Sequence, residues 1–149
     1  MQRINQAKMD PLIWDTRMSE ACVLFDAAVD IAQHRLEDGE SFVLEHPGKA
    51  SSWERSSVQR LCLLYPQVKL IVFDQCCFGL KSPLGEPMMK TTKFLTNLQT
   101  VVDRFSGVRC KCQVPHRQIE GNQAGVKLSW WAQHYPAPLV QALVDCARA

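Results

Sequence analysis

The segment Phe42-Val-Leu-Glu-His-Pro47 predicts a short buried β-strand that ends in an acidic residue and a turn. Pro47-Gly48 stops this strand, because proline cannot donate a hydrogen bond to a neighbouring strand. A carboxylate at the end of a strand is carried to the carboxyl edge of the sheet, where ligands bind in open α/β folds. Glu45 is equally compatible with a surface or helix-capping role, so this segment alone leaves its function open.

The residues around this strand predict helices and further strands in alternation. Asp10-Pro11 is typical of a helix N-terminus, and one apolar stripe follows it at spacings of four and three: Met18, Cys22, Phe25, Val29, Ala32 and Leu36. Later elements are a helix opened by a capping box at Ser51–Glu54, strands at Val68–Asp74 and Thr91–Thr96, a helix capped by Asn97, and a helix opened by Pro136 and Pro138. Such alternation predicts an α/β fold.

Length and composition exclude several classes of protein. A chain of 149 residues with 46% hydrophobic and 21% charged residues has the composition of one globular domain. The longest uncharged apolar run, Leu70–Phe73, is far below the roughly 20 residues that a membrane span needs. The first residues have no apolar core of a secretory signal, and seven cysteines is an odd number. We therefore expect reduced thiols and an intracellular location.

The charge is nearly balanced overall but uneven along the chain. A net charge of +2 is too small by itself to indicate a nucleic-acid partner. Seven basic residues nevertheless fall within one stretch of 37: Lys81, Lys90, Lys93, Arg104, Arg109, Lys111 and Arg117.

The order of these elements resembles a known family. A helix, a strand ending at Glu45, a helix, a strand running into Phe78-Gly79 and a basic, threonine-containing strand resemble the second half of the catalytic domain of class I S-adenosylmethionine-dependent DNA methyltransferases. The cytosine-C5 and phage types are the most similar. Cys77-Phe-Gly-Leu80 and Tyr135-Pro136 are also similar to methylase-like segments of retroelement-type polyproteins.

The resemblance implies a partial Rossmann-like sheet with flanking helices. In it, the Glu45 strand would run parallel to Val68–Asp74, and Thr91–Thr96 would return antiparallel. Glu45 would hydrogen-bond the target base. DNA would be held by a further set of residues: Phe78, Gly79, Lys90, Thr92 and Lys93.

Two motifs of the family are missing. The chain has no G-x-G, which would approach S-adenosylmethionine, and no Pro-Cys, which would supply the nucleophile. We therefore expect residues 1–149 to be one domain, the C-terminal half of a methyltransferase-like domain, which does not bind S-adenosylmethionine and is inactive alone. Phe42–Leu44 would then form an exposed sheet edge, paired with the missing half or a second copy, or covered by the amino-terminal residues.

A metal site is predicted in the irregular segment 107–133. Cys110-Lys-Cys-Gln-Val-Pro-His116 places three soft or borderline ligands within seven residues. The C-x-C spacing is tighter than in standard zinc motifs, so a fourth ligand must come from elsewhere: Cys76, Cys77 or His134. The alternative is a set of free thiols without metal.

Two further patterns have a functional and a structural interpretation. Cys76 or Cys77 at a strand end, with His46 as base, would suit a nucleophile, but adjacent cysteines normally point to opposite faces of a strand as small buried residues. Trp130-Trp131 would suit base stacking, but we expect this pair to pack in the core. A non-catalytic module that binds nucleic acid or protein around structural zinc is the alternative function, and a remnant domain without retained activity is a third.

Overall fold

Residues 9–149 are described by the computed structural model, and they form a mixed α/β structure, as the alternation of elements predicts. In this range the helices are α1 (Pro11–Glu37), α2 (Ser56–Leu64), α3 (Gln99–Phe105), α4 (Leu128–Trp131) and α5 (Ala137–Arg148). The strands are β1 (Val43–Pro47), β2 (Lys69–Asp74), β3 (Thr91–Thr96), β4 (Asn122–Gln123) and β5 (Val126–Lys127). Two short 3₁₀ turns lie at Ser51–Glu54 and Gln75–Phe78.

The chain divides into two compact units. The first unit comprises Met1–Leu70 with Phe94–Asn97, and the second unit comprises Ile71–Lys93 with Leu98–Ala149. None of the helices formed by residues 9–149 combines the length and the hydrophobicity needed to cross a lipid bilayer.

Helix α1 begins and ends where the sequence predicts. The Asp10 carboxylate accepts hydrogen bonds from the amides of Leu12 and Ile13, at 2.9 and 3.3 Å, and so satisfies two of the unpaired N–H groups of the first turn. After the last turn, Gly39 adopts a φ of 73°, which glycine tolerates without steric cost. The predicted apolar stripe is confirmed at its centre by three buried residues: Phe25, Val29 and Ala32.

The core of the first unit is apolar and lies between α1, β1 and α2. Its buried members include Trp53, Val58, Leu61, Val68 and Leu95 beside the stripe of α1. Phe42 and Leu44 are half-buried and pack against this core, so one face of β1 is held by the hydrophobic effect.

The strand order of the larger sheet is β1-β3-β2. At the end of β3, the Thr96 hydroxyl donates to the Phe42 carbonyl at 2.6 Å, just before β1 begins. At the start of β3, the Lys90 carbonyl accepts from the Gln75 amide at 3.0 Å, just after β2 ends. Strand β3 therefore runs antiparallel to both neighbours, as predicted for Thr91–Thr96.

Two predicted helix caps are wrong, and for Asn97 the reason is that tertiary contacts engage its side chain. The Asn97 side chain accepts from the Phe42 amide at 3.0 Å and donates to the Glu40 carbonyl at 3.1 Å, and α3 begins only at Gln99. The predicted capping box forms a 3₁₀ turn instead, in which Ser52 is buried, and α2 begins at Ser56.

The second unit has a core of aromatic and aliphatic residues. The rings of Phe73, Phe78 and Phe105 contact one another, with centroids 5.1 to 5.7 Å apart. A separate cluster contains Leu80, Met88, Leu128 and Ala132. Two of these residues belong to the segment 107–133, which is less irregular than predicted because it contains α4 and a small antiparallel hairpin of β4 and β5.

A partly exposed ion pair links α1 to the start of α2 in the first unit. The Asp26 carboxylate accepts hydrogen bonds from two nitrogens of the Arg55 guanidinium group, Nε at 2.8 Å and Nη2. It also accepts from the Ser57 hydroxyl at 2.7 Å. The Arg55 hydrogen bonds are the main cause that lowers the pKa of Asp26 to about 2, and the Ser57 hydrogen bond adds to them.

We predict that Asp26→Asn lowers the free energy of unfolding by about 1 kcal/mol at neutral pH, a value reduced for solvent screening because both side chains are one-third exposed. Because the folded pKa lies below the unfolded value, the carboxylate stabilises the protein above about pH 4. This contribution is lost as the pH falls toward about 2. Urea unfolding of wild type and variant between pH 7 and 2 measures it, with the exposed Asp15→Asn as control. A constant difference across this range would contradict the prediction.

Candidate metal centre

Four side chains that bind soft or borderline metal ions meet in the second unit. They are Cys76, Cys110, Cys112 and His116, and their ligand atoms all lie within 4.8 Å of one another. Three of these residues are the metal ligands predicted from the sequence. Cys76 supplies the fourth position, whereas Cys77 and His134, the other residues considered for it, are not part of this cluster.

A 3₁₀ turn directly after β2 brings Cys76 to the cluster. The Cys76 carbonyl accepts from the Gly79 amide at 3.0 Å, and Gly79 ends the turn with a φ of 84°, which favours glycine. The sequence predicts that the adjacent cysteines point to opposite faces of a strand. This prediction is wrong, because both residues lie in the 3₁₀ turn. Cys76 is half-buried and faces the other ligands, and Cys77 is exposed.

The buried carboxylate of Asp74 fixes the position of Cys110. One carboxylate oxygen accepts from the Cys110 amide at 2.9 Å and from Arg109 Nε at 3.0 Å. The other oxygen accepts from the Thr91 hydroxyl of β3 at 2.6 Å. Burial alone raises the pKa of Asp74, but these hydrogen bonds and the Arg109 charge outweigh it, so the pKa lies below its ordinary value.

The loop from Cys110 to His116 closes on itself through sulfur. The Cys110 sulfur accepts from the Cys112 amide at 3.3 Å and lies 3.2 Å from His116 Nε2. Directly after His116, Arg117 is held by two backbone hydrogen bonds, from its amide to the Pro87 carbonyl at 2.8 Å and from the Met89 amide to its carbonyl at 3.0 Å. Both ends of the loop are thus tied to the body of the second unit.

The three thiols of the cluster do not ionise equally. Burial raises the pKa of Cys76, and the hydrogen bond shared with Cys110 raises it further. The backbone hydrogen bond from Cys112 lowers the pKa of Cys110, while the hydrogen bond to Cys110 raises the pKa of Cys112. The hydrogen bond from Cys112 therefore favours the thiolate of Cys110, the form that binds metals.

The donor set is one that can hold a metal ion such as zinc. Zinc–sulfur and zinc–nitrogen bonds of about 2.3 and 2.0 Å place ligand atoms about 3.4–3.8 Å apart, and the ligand atoms of the cluster lie within 4.8 Å of one another. Three thiolates and one imidazole are a set typical of structural zinc sites. Four protein ligands fill the coordination sphere, so the arrangement suits a structural role rather than activation of a water molecule.

The residues predicted to contact nucleic acid are placed unevenly within the second unit. Thr92 is fully buried and its hydroxyl accepts from Gln75 Nε2 at 2.9 Å, and Phe78 is buried in the aromatic core. Lys90 Nζ donates to the Ala132 carbonyl at 2.7 Å. Lys93 is partly exposed, and Gly79 is exposed. The set therefore does not form one continuous surface.

Glu45 and His46 lie in β1, which belongs to the first unit. Glu45 is half-buried. The His46 ring packs between Phe25 and Trp53, with centroids 5.0 and 5.8 Å away, and burial lowers its pKa. The raised pKa of Cys76 argues against a nucleophilic thiolate at that position near neutral pH.

The sequence analysis missed Asp74, although it closes a predicted strand immediately before Gln75-Cys76. An acidic residue at the end of an apolar strand is the only local signal for such an anchor, and Glu45 carries the same signal without the same role. Searches of family models, of curated proteins and of solved structures found no match to this chain.

We predict that Asp74→Asn lowers the free energy of unfolding by about 2 kcal/mol, since the amide cannot accept three hydrogen bonds and leaves a buried donor unpaired. The loss should be accompanied by faster amide exchange at Cys110. Urea unfolding and hydrogen exchange measure the two effects, with the exposed Asp103→Asn as control. Equal stability of the two variants would show that Asp74 is not the anchor.

Proposed function

We propose that this chain is a non-catalytic binding module whose second unit is organised by a structural Zn²⁺ ion. The observation that carries the proposal is the convergence of Cys76, Cys110, Cys112 and His116 within 4.8 Å. The ion would connect the turn after β2 to the loop that follows α3.

The loop is the part of the second unit that most needs such a connection. Residues 109–121, all of them described, include no buried residue, so the hydrophobic effect contributes little to their order. Apart from the thiol cluster, they are held by Asp74 at one end, and by the hydrogen bonds of Arg117 and the packing of Ile119 at the other. Metal-binding energy in such a loop is folding energy.

The zinc proposal is tested by metal analysis of protein purified without chelator. We expect about one equivalent of zinc in wild type, and tetrahedral cobalt absorption with cysteine charge-transfer bands after exchange with Co²⁺. Cys76→Ser should lose most of the metal. Cys77→Ser is the matched control, because the adjacent exposed thiol lies outside the cluster, and it should retain the full equivalent.

Chelation should then increase amide exchange between residues 109 and 117 while the core of the first unit stays protected, because that core is apolar and contains none of the ligands. Wild-type protein without metal, or equal metal content in the two cysteine variants, would refute the zinc site.

A methyltransferase-like fragment with a partial Rossmann-like sheet is the second candidate. It is supported by the half-buried Glu45 in β1 and by the antiparallel return of β3, which the resemblance implies. In this candidate Glu45 would recognise a base of DNA, and Lys93 and Gly79 would face the backbone. In the family that this chain resembles, S-adenosylmethionine is bound by a glycine-rich loop, so in this candidate a further segment would supply that loop.

This second candidate predicts that β1 pairs with another chain. Strand β1 stands at one end of the order β1-β3-β2, and Val43 is 38% exposed, so its outer edge is a template for a further strand. The other expectation is that the amino-terminal residues cover this edge. It concerns residues 1–8, which lie outside the described part of the chain.

We expect sedimentation across a concentration series to show a dimer that Val43→Lys disrupts, since a charge on an edge strand opposes pairing. Leu63→Lys, also at an exposed apolar position of the first unit, is the control and should leave the dimer intact. A wild-type monomer whose Val43 and Leu44 amides exchange freely would contradict the pairing.

A further inference from the structure

A second feature of the second unit is independent of the metal cluster. A cleft of about 440 Å³ opens between residues 79–82 and residues 130–136. Its lining residues are Gly79, Leu80, Lys81, Ser82, Trp130, Trp131, His134, Tyr135 and Pro136. The volume lies in the usual range for small-ligand pockets, about 300–1,000 Å³.

The aromatic rings of this cleft are exposed rather than packed in the core. Trp130, Trp131 and Tyr135 are 54%, 36% and 40% exposed, so the expected core packing of the tryptophan pair is wrong. Both tryptophans sit on α4, a single helical turn of which only Leu128 is buried. An exposed cluster of large aromatic rings is a common mark of a binding site.

Each ring of the cleft contacts a neighbouring group. Trp131 Nε1 donates to the Lys81 carbonyl at 2.7 Å, and the His134 ring meets Trp130 edge-on with centroids 4.8 Å apart. Lys90 Nζ lies 5.0 Å from the centre of the Tyr135 ring. A ligand would therefore meet preformed ring faces and lose little affinity to their ordering.

The lining of the cleft carries a cation and no carboxylate. None of the described residues that line it is acidic, and Lys81 is exposed at its wall. The Glu86 carboxylate lies beside the cleft and accepts hydrogen bonds from the neutral side chains of Ser82 and Gln123. The second unit as a whole carries nine Lys and Arg against five Asp and Glu, a net charge of +4.

We propose that this cleft binds an unpaired nucleobase of single-stranded nucleic acid. The base stacks on the exposed face of Trp130, and Lys81 contacts the adjoining phosphate. Every base has a π face, so such stacking tolerates many sequences. A proline-rich peptide also favours aromatic grooves, but it carries no negative charge that the lysines of this unit would complement.

The proposal gives the binding module a ligand, and it uses none of the four metal ligands. The zinc proposal and the nucleobase proposal can therefore be refuted independently. A metal-free protein that still binds through Trp130 would refute the zinc proposal alone. A zinc-loaded protein that does not bind would refute the nucleobase site alone.

The test is fluorescence anisotropy of a labelled oligothymidylate with the zinc-loaded full chain. We expect Trp130→Ala to weaken binding by about tenfold or more, and Trp130→Phe, which keeps a ring, to weaken it less. Since Trp130 is largely exposed, both variants should fold, which circular dichroism and zinc content verify.

A second arm measures the phosphate contact. Lys81→Ala should reduce the slope of log affinity against log salt by about 0.7, the value for one phosphate on a single strand. Lys49→Ala, an exposed lysine of the first unit, should leave the slope unchanged. Unchanged affinity in folded Trp130→Ala, an unchanged slope in Lys81→Ala, or displacement of the oligonucleotide from Trp130 by a proline-rich peptide would each overturn the proposal.

Discussion

The carboxylate of Asp74 is the contact on which the chemistry of the second unit depends. It is 4% exposed and accepts from three donors at two places in the chain: the Thr91 hydroxyl, and the Arg109 side chain with the adjacent Cys110 amide. A buried charge without such donors would cost several kcal/mol. Because its hydrogen bonds satisfy it, Asp74 can hold a polar loop against a sheet edge, and the position of Cys110 follows from that.

The two units are stabilised by different forces. The first unit has a continuous apolar core in which α1 contributes three buried residues, so its order comes mainly from burial of apolar surface. In the second unit, the loop between Arg109 and Gly121 has no fully buried residue. Its contacts are hydrogen bonds, sulfur contacts and the packing of the partly buried Ile119 against one apolar cluster. A bound metal ion adds the most stability to a segment that, like this loop, buries little apolar surface of its own.

The same unit also exposes its aromatic residues. Trp131 uses its indole nitrogen to bind the Lys81 carbonyl and leaves part of its ring in solvent. Lys90 Nζ donates to the Ala132 carbonyl and lies 5.0 Å from the centre of the Tyr135 ring. In the proposed nucleobase cleft Lys90 would therefore position an aromatic ring, a different role from the phosphate contact that the family resemblance implies.

The amino-acid sequence by itself determined the features whose causes are local. Helix α1 follows from an N-cap, a proline and an apolar stripe at helical spacing. Three members of the candidate metal cluster could be recognised because Cys110, Cys112 and His116 lie within one seven-residue segment. The α/β class was also predictable, since it follows from the alternation of helical and strand segments along the sequence. The antiparallel direction of β3 does not follow from that alternation, and it was expected only because the family resemblance implies it.

Only the tertiary structure decided the features that depend on distant residues. The 3₁₀ turn selects Cys76 over Cys77, because it rotates one thiol toward a loop far along the chain. Asn97 bonds to Phe42 rather than capping α3, since the pairing of β1 with β3 brings an unsatisfied amide to it. The tryptophans of α4 are exposed because the single buried position of that turn is taken by Leu128. Burial and metal geometry are properties of contacts between segments, and no local pattern encodes them.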